Sequence, residues 1–181
     1  MSDAERGWSD YWQKDSAEGE VFVTGKGERH PALAEFWQAQ FKDLDDGTRL
    51  IDLASGAGSV FAHLPEGRAF HLCAADISDV ALKALRERFP GTNTVVCSAD
   101  AVPLEDKSFD LVVTQFGVEY AGVAAFAEAA RLVAPGGRFI GLCHIRDGYI
   151  DSDNRRQLAE ARIVARQEFI DNALSLITAA Y

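Results

Sequence analysis

The sequence lacks the features that mark nucleic-acid-binding, secreted or membrane proteins. Lys and Arg number 18 against 28 Asp and Glu, which gives a net charge of −10, and no basic cluster is present. Phosphate backbones require such clusters, so neither a nucleic acid nor an anionic membrane surface is expected as a partner. No apolar run reaches the ~18 residues that a membrane span needs, and the first residues, MSDAERGWSD, do not form a signal peptide. A cytoplasmic protein is expected.

Cysteine is equally scarce. Cys73, Cys97 and Cys143 are far apart in sequence, and none belongs to a CxxC motif or a Cys/His cluster. The sequence therefore predicts neither a zinc site nor a disulfide framework, and no metal is expected. Each cysteine lies within an apolar run, which is typical of a buried thiol.

What the sequence does contain is an alternation of short apolar runs and helical patterns. The runs predict strands over 49–53, 69–75, 93–97, 109–115 and 138–145, and the intervening patterns predict helices over 31–44, 78–88 and 121–133, with a short turn at 59–63. Such alternation is typical of a doubly wound α/β fold with a parallel sheet and right-handed crossovers. We expect the strand order 3-2-1-4-5, with a ligand beyond the carboxyl ends of the strands, at the switch point.

The loop after the first predicted strand consists of small residues, Ala54-Ser55-Gly56-Ala57-Gly58, and Asp52 precedes it. Small residues let the backbone turn sharply and approach a ligand closely. A nicotinamide-binding loop needs GxGxxG, but Phe61 replaces the third glycine, and the Gly-Lys-Ser/Thr of a P-loop is absent. The loop, with an acidic residue before it at the end of the strand, therefore suits neither a nicotinamide cofactor nor a P-loop nucleotide well.

Five segments in this order resemble the class I S-adenosylmethionine (SAM)-dependent methyltransferases, and most of all their broad small-molecule group, type 11. Residues 50–58 match an apolar strand followed by (Asp/Glu)-x-Gly-x-Gly-x-Gly, with Ala54 at the first glycine. Asp76 matches the acid that ends the second strand, and Asp100 the one after the third. Residues 103–113 and 132–139 resemble the segments that lead into strands four and five.

The resemblance implies SAM as cofactor and assigns roles to individual residues. Asp76 would receive the ribose hydroxyls, Asp100 would lie near the adenine amino group, and Gln115 would contact the methionine part. The expected cofactor-binding residues are Asp52, Ala54, Ser55, Gly56, Gly58, Asp76, Ile77, Asp100, Ala101 and Gln115. If the first loop position needs a positive φ, alanine fits it poorly.

The catalytic residues stay open. Glu119, Tyr120 and His144 follow the fourth and fifth predicted strands and could each act as a general base or be structural. Methyl transfer from a sulfonium mostly requires proximity and alignment, so no base is obligatory.

We interpret the chain as three parts: an N-terminal helical segment and lid (1–46), a SAM-binding core (47–150) and a C-terminal helix (151–181). Trp8, Tyr11 and Trp12 could close over the cofactor or substrate, since aromatic faces attract cations, or simply pack a helix on the core.

The C-terminal part predicts one long helix over 152–178. Its apolar stripe contains Ile163, Ile170, Leu174 and Ile177, and no residues remain for the sixth and seventh strands of the family sheet. The chain is therefore expected to be a fragment or a shortened variant. Self-association through 158–177 or through the open edge of the fifth strand is one expectation, and a helix that folds back over the sheet is the other.

The expected function is methyl transfer from SAM to a small-molecule acceptor. A SAM-binding module without catalytic activity is the first alternative, and a nicotinamide-dependent oxidoreductase is a weaker one. A nucleic-acid methyltransferase is disfavoured by the net charge, and because Thr114-Gln115-Phe116-Gly117 stands where an Asn/Asp-Pro-Pro-aromatic motif would be needed.

Overall fold

Five strands alternate with helices in the computed structural model, which describes residues 2–15, 31–165, 172 and 174–177. The helices are α1 (Asp3–Asp15), α2 (Pro31–Phe41), α3 (Asp79–Arg88), α4 (Val123–Leu132) and α5 (Tyr149–Val164). The strands are β1 (Arg49–Leu53), β2 (His71–Asp76), β3 (Asn93–Val96), β4 (Phe109–Gln115) and β5 (Val133–Leu142). Short 3-10 turns occur at Val60–His63 and Val118–Ala121.

The strands form one parallel sheet in the order β3-β2-β1-β4-β5, which confirms the predicted α/β topology. β1 lies in the centre, with β2 on one side and β4 on the other. The chain therefore leaves β1 at the switch point, where crossovers on the two sides diverge and open a crevice. All loops that follow the strands meet at this carboxyl edge.

Successive side chains of the central strands are buried on opposite faces of the sheet, because side chains alternate between the two faces along a β-strand. Leu50, Leu111 and Val113 pack with Trp37 and Phe41 of α2. On the other face, a second cluster contains Ile51, Leu53, Cys73, Val112, Ala129 and Leu132, the last two from α4. Asp52 and Gln115 fall on the α2 face by the same alternation.

The fifth strand corrects the prediction at both ends. It begins at Val133 and ends at Leu142, so the Pro135-Gly136-Gly137 sequence lies inside it rather than in a turn before it. The register shows why. Val133 pairs with Phe109, but the next paired residue, Arg138, lies opposite Leu111. The extra residues form a bulge, which Gly136 permits with a φ of +80°.

Of the three thiols that the sequence predicts to be buried, Cys73 is buried, whereas Cys97 and Cys143 are only half-buried. Cys73 lies in β2 and Cys97 directly after β3, and burial raises the pKa of each to about 11. Burial, together with the nearby Glu119, also raises the pKa of Cys143. A thiol with a raised pKa remains protonated at neutral pH.

The chain forms two compact units, Met1–Cys143 and His144–Tyr181. The second unit contains α5, where Arg155 pairs with Asp151 at 2.9 Å. Of the predicted apolar stripe, Ile163, Leu174 and Ile177 are exposed, and Ile170 lies outside the described residues. In the part of the chain that the structure describes, no helix combines the length and hydropathy of a membrane span.

Candidate functional site

The loop after β1 turns tightly at the centre of the carboxyl edge. Ala54, Gly56 and Gly58 all adopt positive φ angles, of +53°, +52° and +82°. Ala54 thus occupies the left-handed region that favours glycine, which is the strain that the sequence anticipated for this position. Gly117, in the loop after β4, lies so close that an added Cβ would stand 2.5 Å from the Ala54 Cβ. The loops on either side of the switch point are therefore in direct contact.

Asp76 ties this loop to the end of β2. Its carboxylate accepts the backbone N–H of Gly56 at 2.8 Å and that of Ser78 at 2.9 Å. Ser78 in turn caps α3 by accepting the N–H of Ala81 at 3.3 Å, as predicted for the start of this helix. Burial raises the pKa of Asp76, although the N–H donors partly offset the effect by stabilising the ionised form.

Asp52 is the most unusual residue of the site. It lies in β1, is only 1% exposed, and neither of its carboxylate oxygens has a hydrogen-bond partner among the residues that the structure describes. Burial raises its pKa well above the usual 3.8, and the charge of Asp76 raises it further. An ionised carboxylate without a partner is costly in an apolar interior, so this position calls for a donor or cation.

Gln115 closes the back of the site at the end of β4. Its side-chain oxygen accepts the indole N–H of Trp37 at 2.6 Å, and its amide nitrogen donates to the Ser59 hydroxyl at 3.1 Å. The side chain thus joins α2, β4 and the loop after β1 in one buried network. Sequence reasoning listed Gln115 for its contact with the cofactor and missed this network, because Trp37 is distant in sequence.

The remaining predicted residues lie on neighbouring loops of the same edge. Ile77 follows β2 and is half-buried, whereas Asp100 and Ala101 lie in the loop after β3 and are exposed. Ser55 is buried beside the loop glycines. The fold thus brings every predicted cofactor-binding residue to the carboxyl edge, and their contacts with SAM stay predictions.

Helix α1 lies over this edge, and the structure shows where its aromatic residues go. Trp12 is 5% exposed and packs with Ala57 and Ala81. A methyl group on Gly56 would stand 2.2 Å from the Trp12 ring, so only glycine permits this contact. The Ser9 hydroxyl lies 3.2 Å from that of Ser78. Trp12 thus packs α1 on the core, and closure of the aromatic residues over a cofactor or substrate stays a prediction.

Two of the three candidate bases belong to the loop after β4. Glu119 is half-buried and accepts a hydrogen bond from the Cys143 thiol, and Tyr120 is exposed. Burial and the charge of Glu119 raise the pKa of Tyr120. His144 belongs to the second unit. Within the described residues, no group of three or more His, Cys, Asp or Glu side chains could hold a metal ion.

Comparisons with known proteins agree with this geometry. Over 101 residues, the chain is 40% identical to the ubiquinone/menaquinone biosynthesis C-methyltransferase UbiE of Methylobacterium nodulans, which covers 51% of this chain and 40% of the relative. An uncharacterized methyltransferase of Schizosaccharomyces pombe is 27% identical over 130 residues, or 71% of this chain and 51% of the relative. The chain thus spans about half, or less, of the length of these relatives.

A solved structure shares the fold at low sequence identity. The geranyl diphosphate C-methyltransferase of Streptomyces coelicolor superposes with a TM-score of 0.65 over 87% of this chain and 73% of that one, at 14% identity. The family model described as a methyltransferase domain, Methyltransf_11, matches residues 51–141, the stretch from the Asp52 strand to β5. Because this match covers half of the sequence, the chain belongs to the type 11 family of class I SAM-dependent methyltransferases.

Proposed function

We propose that this chain binds SAM at the carboxyl edge of its sheet and transfers the methyl group to a small-molecule acceptor. The observation that carries the proposal is the Asp52 carboxylate, which is buried at the switch point beside Asp76 and has no hydrogen-bond partner in the described parts of the chain. In a family that uses SAM, this arrangement is what a cationic, donor-rich ligand needs.

The residues of the edge fit the chemical groups of SAM. The cofactor supplies an electrophilic methyl group on a sulfonium. Its ammonium offers three N–H donors, and we assign this cationic end to Asp52, where it would offset the burial of the negative charge. Both Asp76 oxygens accept backbone N–H groups, from Gly56 and Ser78, with a further contribution from Ile77. A carboxylate has more acceptor capacity than these donors use, and we assign the remainder to the ribose hydroxyls. Asp100 is exposed on the loop after β3 and suits the adenine amino group.

Helix α1 controls access to this arrangement. Trp12 lies directly against Gly56, the residue whose N–H holds Asp76, and the Asp52 oxygens are sealed from solvent. SAM therefore cannot reach Asp52 unless α1 or the loop shifts. We expect cofactor binding to change the environment, and so the fluorescence, of Trp12.

Calorimetric titration with SAM and with S-adenosylhomocysteine tests the proposal without knowledge of the acceptor. Asp76→Ala should weaken binding by about 1.5–3 kcal/mol, as expected for lost hydrogen bonds to a charged group. Asp110→Asn is a matched control, because Asp110 pairs with Arg49 at the opposite edge of the sheet at 2.6 Å. Equal affinity of the folded Asp76→Ala variant and the parent would refute the assigned role.

Two further measurements separate the alternatives. Tight SAM binding without methyl transfer to any of a panel of small acceptors would favour a binding module without catalytic activity. Binding of NAD in preference to SAM would favour an oxidoreductase and contradict the proposal.

A further inference from the structure

Three aromatic rings meet at the carboxyl edge beside the loop after β4. The Trp8 ring of α1 lies 5.9 Å from the Tyr11 ring at an interplanar angle of 80°, and 5.4 Å from the Tyr120 ring at 69°. We name Trp8, Tyr11 and Tyr120 the aromatic corner. Because their planes are steeply inclined to one another, the rings do not stack and can line a binding site from different sides.

The position of the corner suits binding of the methyl acceptor rather than of SAM. Trp8 and Trp12 lie one helical turn apart on α1, and Trp12 rests on the glycine loop. The corner therefore lies beside the cofactor loop, towards β4. Tyr120 is 59% exposed, and Trp8 is half-buried, so a molecule in solution can reach the rings.

The charge around the corner favours a cation. Glu119 precedes Tyr120, and its carboxylate is held by the Cys143 thiol at the end of the neighbouring strand. No Lys or Arg is present in the described loops 54–59, 77–78, 97–101 and 116–122, although Arg88 of α3 donates to the Ala57 carbonyl and Arg146 lies in the loop after β5. The carboxylate of Glu119, the residue next to Tyr120, would repel an acceptor that carries phosphate or carboxylate at the corner, whereas an ammonium there would meet aromatic faces and be attracted by this negative charge.

We propose that the aromatic corner and Glu119 bind an ammonium headgroup, quaternary or protonated, on the methyl acceptor. This proposal rests on the proposed function, since it names the substrate class of the same site. Ring faces of Trp and Tyr attract a cation within about 6 Å of the centroid through their quadrupole. The ammonium is the recognition group, which anchors the acceptor beside the cofactor loop.

Choline and its neutral isostere 3,3-dimethylbutan-1-ol provide a direct test, because they differ in charge and hardly in shape. Each is titrated into the full chain, with and without saturating S-adenosylhomocysteine, and binding is followed by tryptophan fluorescence. Choline should bind at least about 5-fold more tightly than the neutral isostere, the ratio expected for one cation near ring faces and a carboxylate. Equal binding of the two probes, or no binding of choline in either state, would overturn the proposal.

Single-residue variants test whether choline binds at the aromatic corner. Tyr120→Leu should weaken choline binding by about 2- to 30-fold, while Tyr120→Phe keeps the ring and should retain it. Glu119→Gln should cost about 5-fold. Tyr149→Leu is the matched control, because Tyr149 belongs to the second unit and is 85% exposed. A Tyr120→Leu variant that binds choline like the parent would refute the corner. Binding of S-adenosylhomocysteine is measured separately in every variant. Loss of this binding would indicate a failure of the cofactor site, whereas loss of choline binding alone would indicate a failure of the corner.

Discussion

Ala54 offers a quantitative test of the geometry at the switch point. Its φ of +53° places an alanine in the left-handed region, which costs an L-residue with a Cβ about 1–2 kcal/mol. Glycine removes this strain, but loses more chain entropy on folding, by roughly 0.5–1 kcal/mol. Ala54→Gly should therefore stabilise the protein by about 0.5–1 kcal/mol, which for a chain of this length raises Tm by about 1–4 °C.

Gly117 makes the test specific, because its effect depends on residue 54. A Cβ at Gly117 would stand 2.5 Å from the Ala54 Cβ and 3.0 Å from the Ala54 carbonyl oxygen. Gly117→Ala should then cost about 2–3 kcal/mol in the parent, as overpacking does. In the Ala54→Gly background only the carbonyl contact remains, so the cost should fall to about 1–2 kcal/mol, which is a coupling energy of about 1 kcal/mol.

Urea unfolding of the parent, both single variants and the double variant at one pH measures this cycle. A destabilised Ala54→Gly variant would contradict the left-handed conformation of residue 54. Additive effects, with no coupling, would show that the loops after β1 and β4 do not touch. Gly122→Ala is not a suitable control, since its φ is +83°. Gly7→Ala serves better, because an added Cβ there meets no atom of the described residues within 4 Å outside its own helix backbone and chain neighbours.

Three further predictions concern the core, the acid pair and the second unit. Because burial and Asp76 raise the pKa of Asp52 above 3.8, the folded chain holds this proton more tightly than the unfolded chain, and the free energy of unfolding falls as the pH rises from about 3.8 towards the folded pKa. Asp52→Asn should make the free energy of unfolding depend less on pH and should be more stable than the parent at neutral pH, yet bind SAM more weakly. A steeper fall of the free energy of unfolding with pH in this variant, measured by chemical denaturation, would contradict the raised pKa of Asp52. Trp37→Phe removes the donor to Gln115 and some buried volume, and should cost about 2–4 kcal/mol in urea unfolding; a neutral effect would mean that the network is not formed. We also propose that the chain self-associates through 158–177 or the β5 edge, where Leu158 is 50% exposed and Ile163 56% exposed; a monodisperse monomer at tens of micromolar in light scattering, without binding of a hydrophobic dye, would refute this.

The strand order of the sheet could be predicted from the sequence because the sequence patterns of its strands and helices are local and agree with one another. Apolar runs that alternate with helical patterns predict parallel strands joined by helices. Because such crossovers are right-handed, only a few strand orders are possible, and the observed order is one of them. The fifth strand shows the limit of local signals. Pro135-Gly136-Gly137 is typical of a turn, but pairing with β4 on both sides of these residues turns the same sequence into a bulge.

The sequence was sufficient to place the predicted site residues at one edge of the sheet, but not to predict their contacts with one another. Asp52 and Asp76 lie at the carboxyl ends of β1 and β2, and the small-residue loop follows β1. That Asp52 has no hydrogen-bond partner among the described residues, in contrast, can be seen only in the structure. The contact between Trp12 and Gly56 joins distant parts of the chain. An aromatic helix is compatible with both a lid and a packed element, so its sequence alone could not decide between them.

The protonated state of the three native thiols has a practical consequence for spectroscopy. With the pKa of Cys73 and of Cys97 raised to about 11, and that of Cys143 also raised, little thiolate is available to alkylating reagents at neutral pH. A single cysteine introduced on the exposed side of α1, at Asp10 for example, should therefore react with a maleimide dye or spin label well before the native ones. Distance measurements between such a label and a second one on α3 could follow the opening of α1 in the otherwise native sequence.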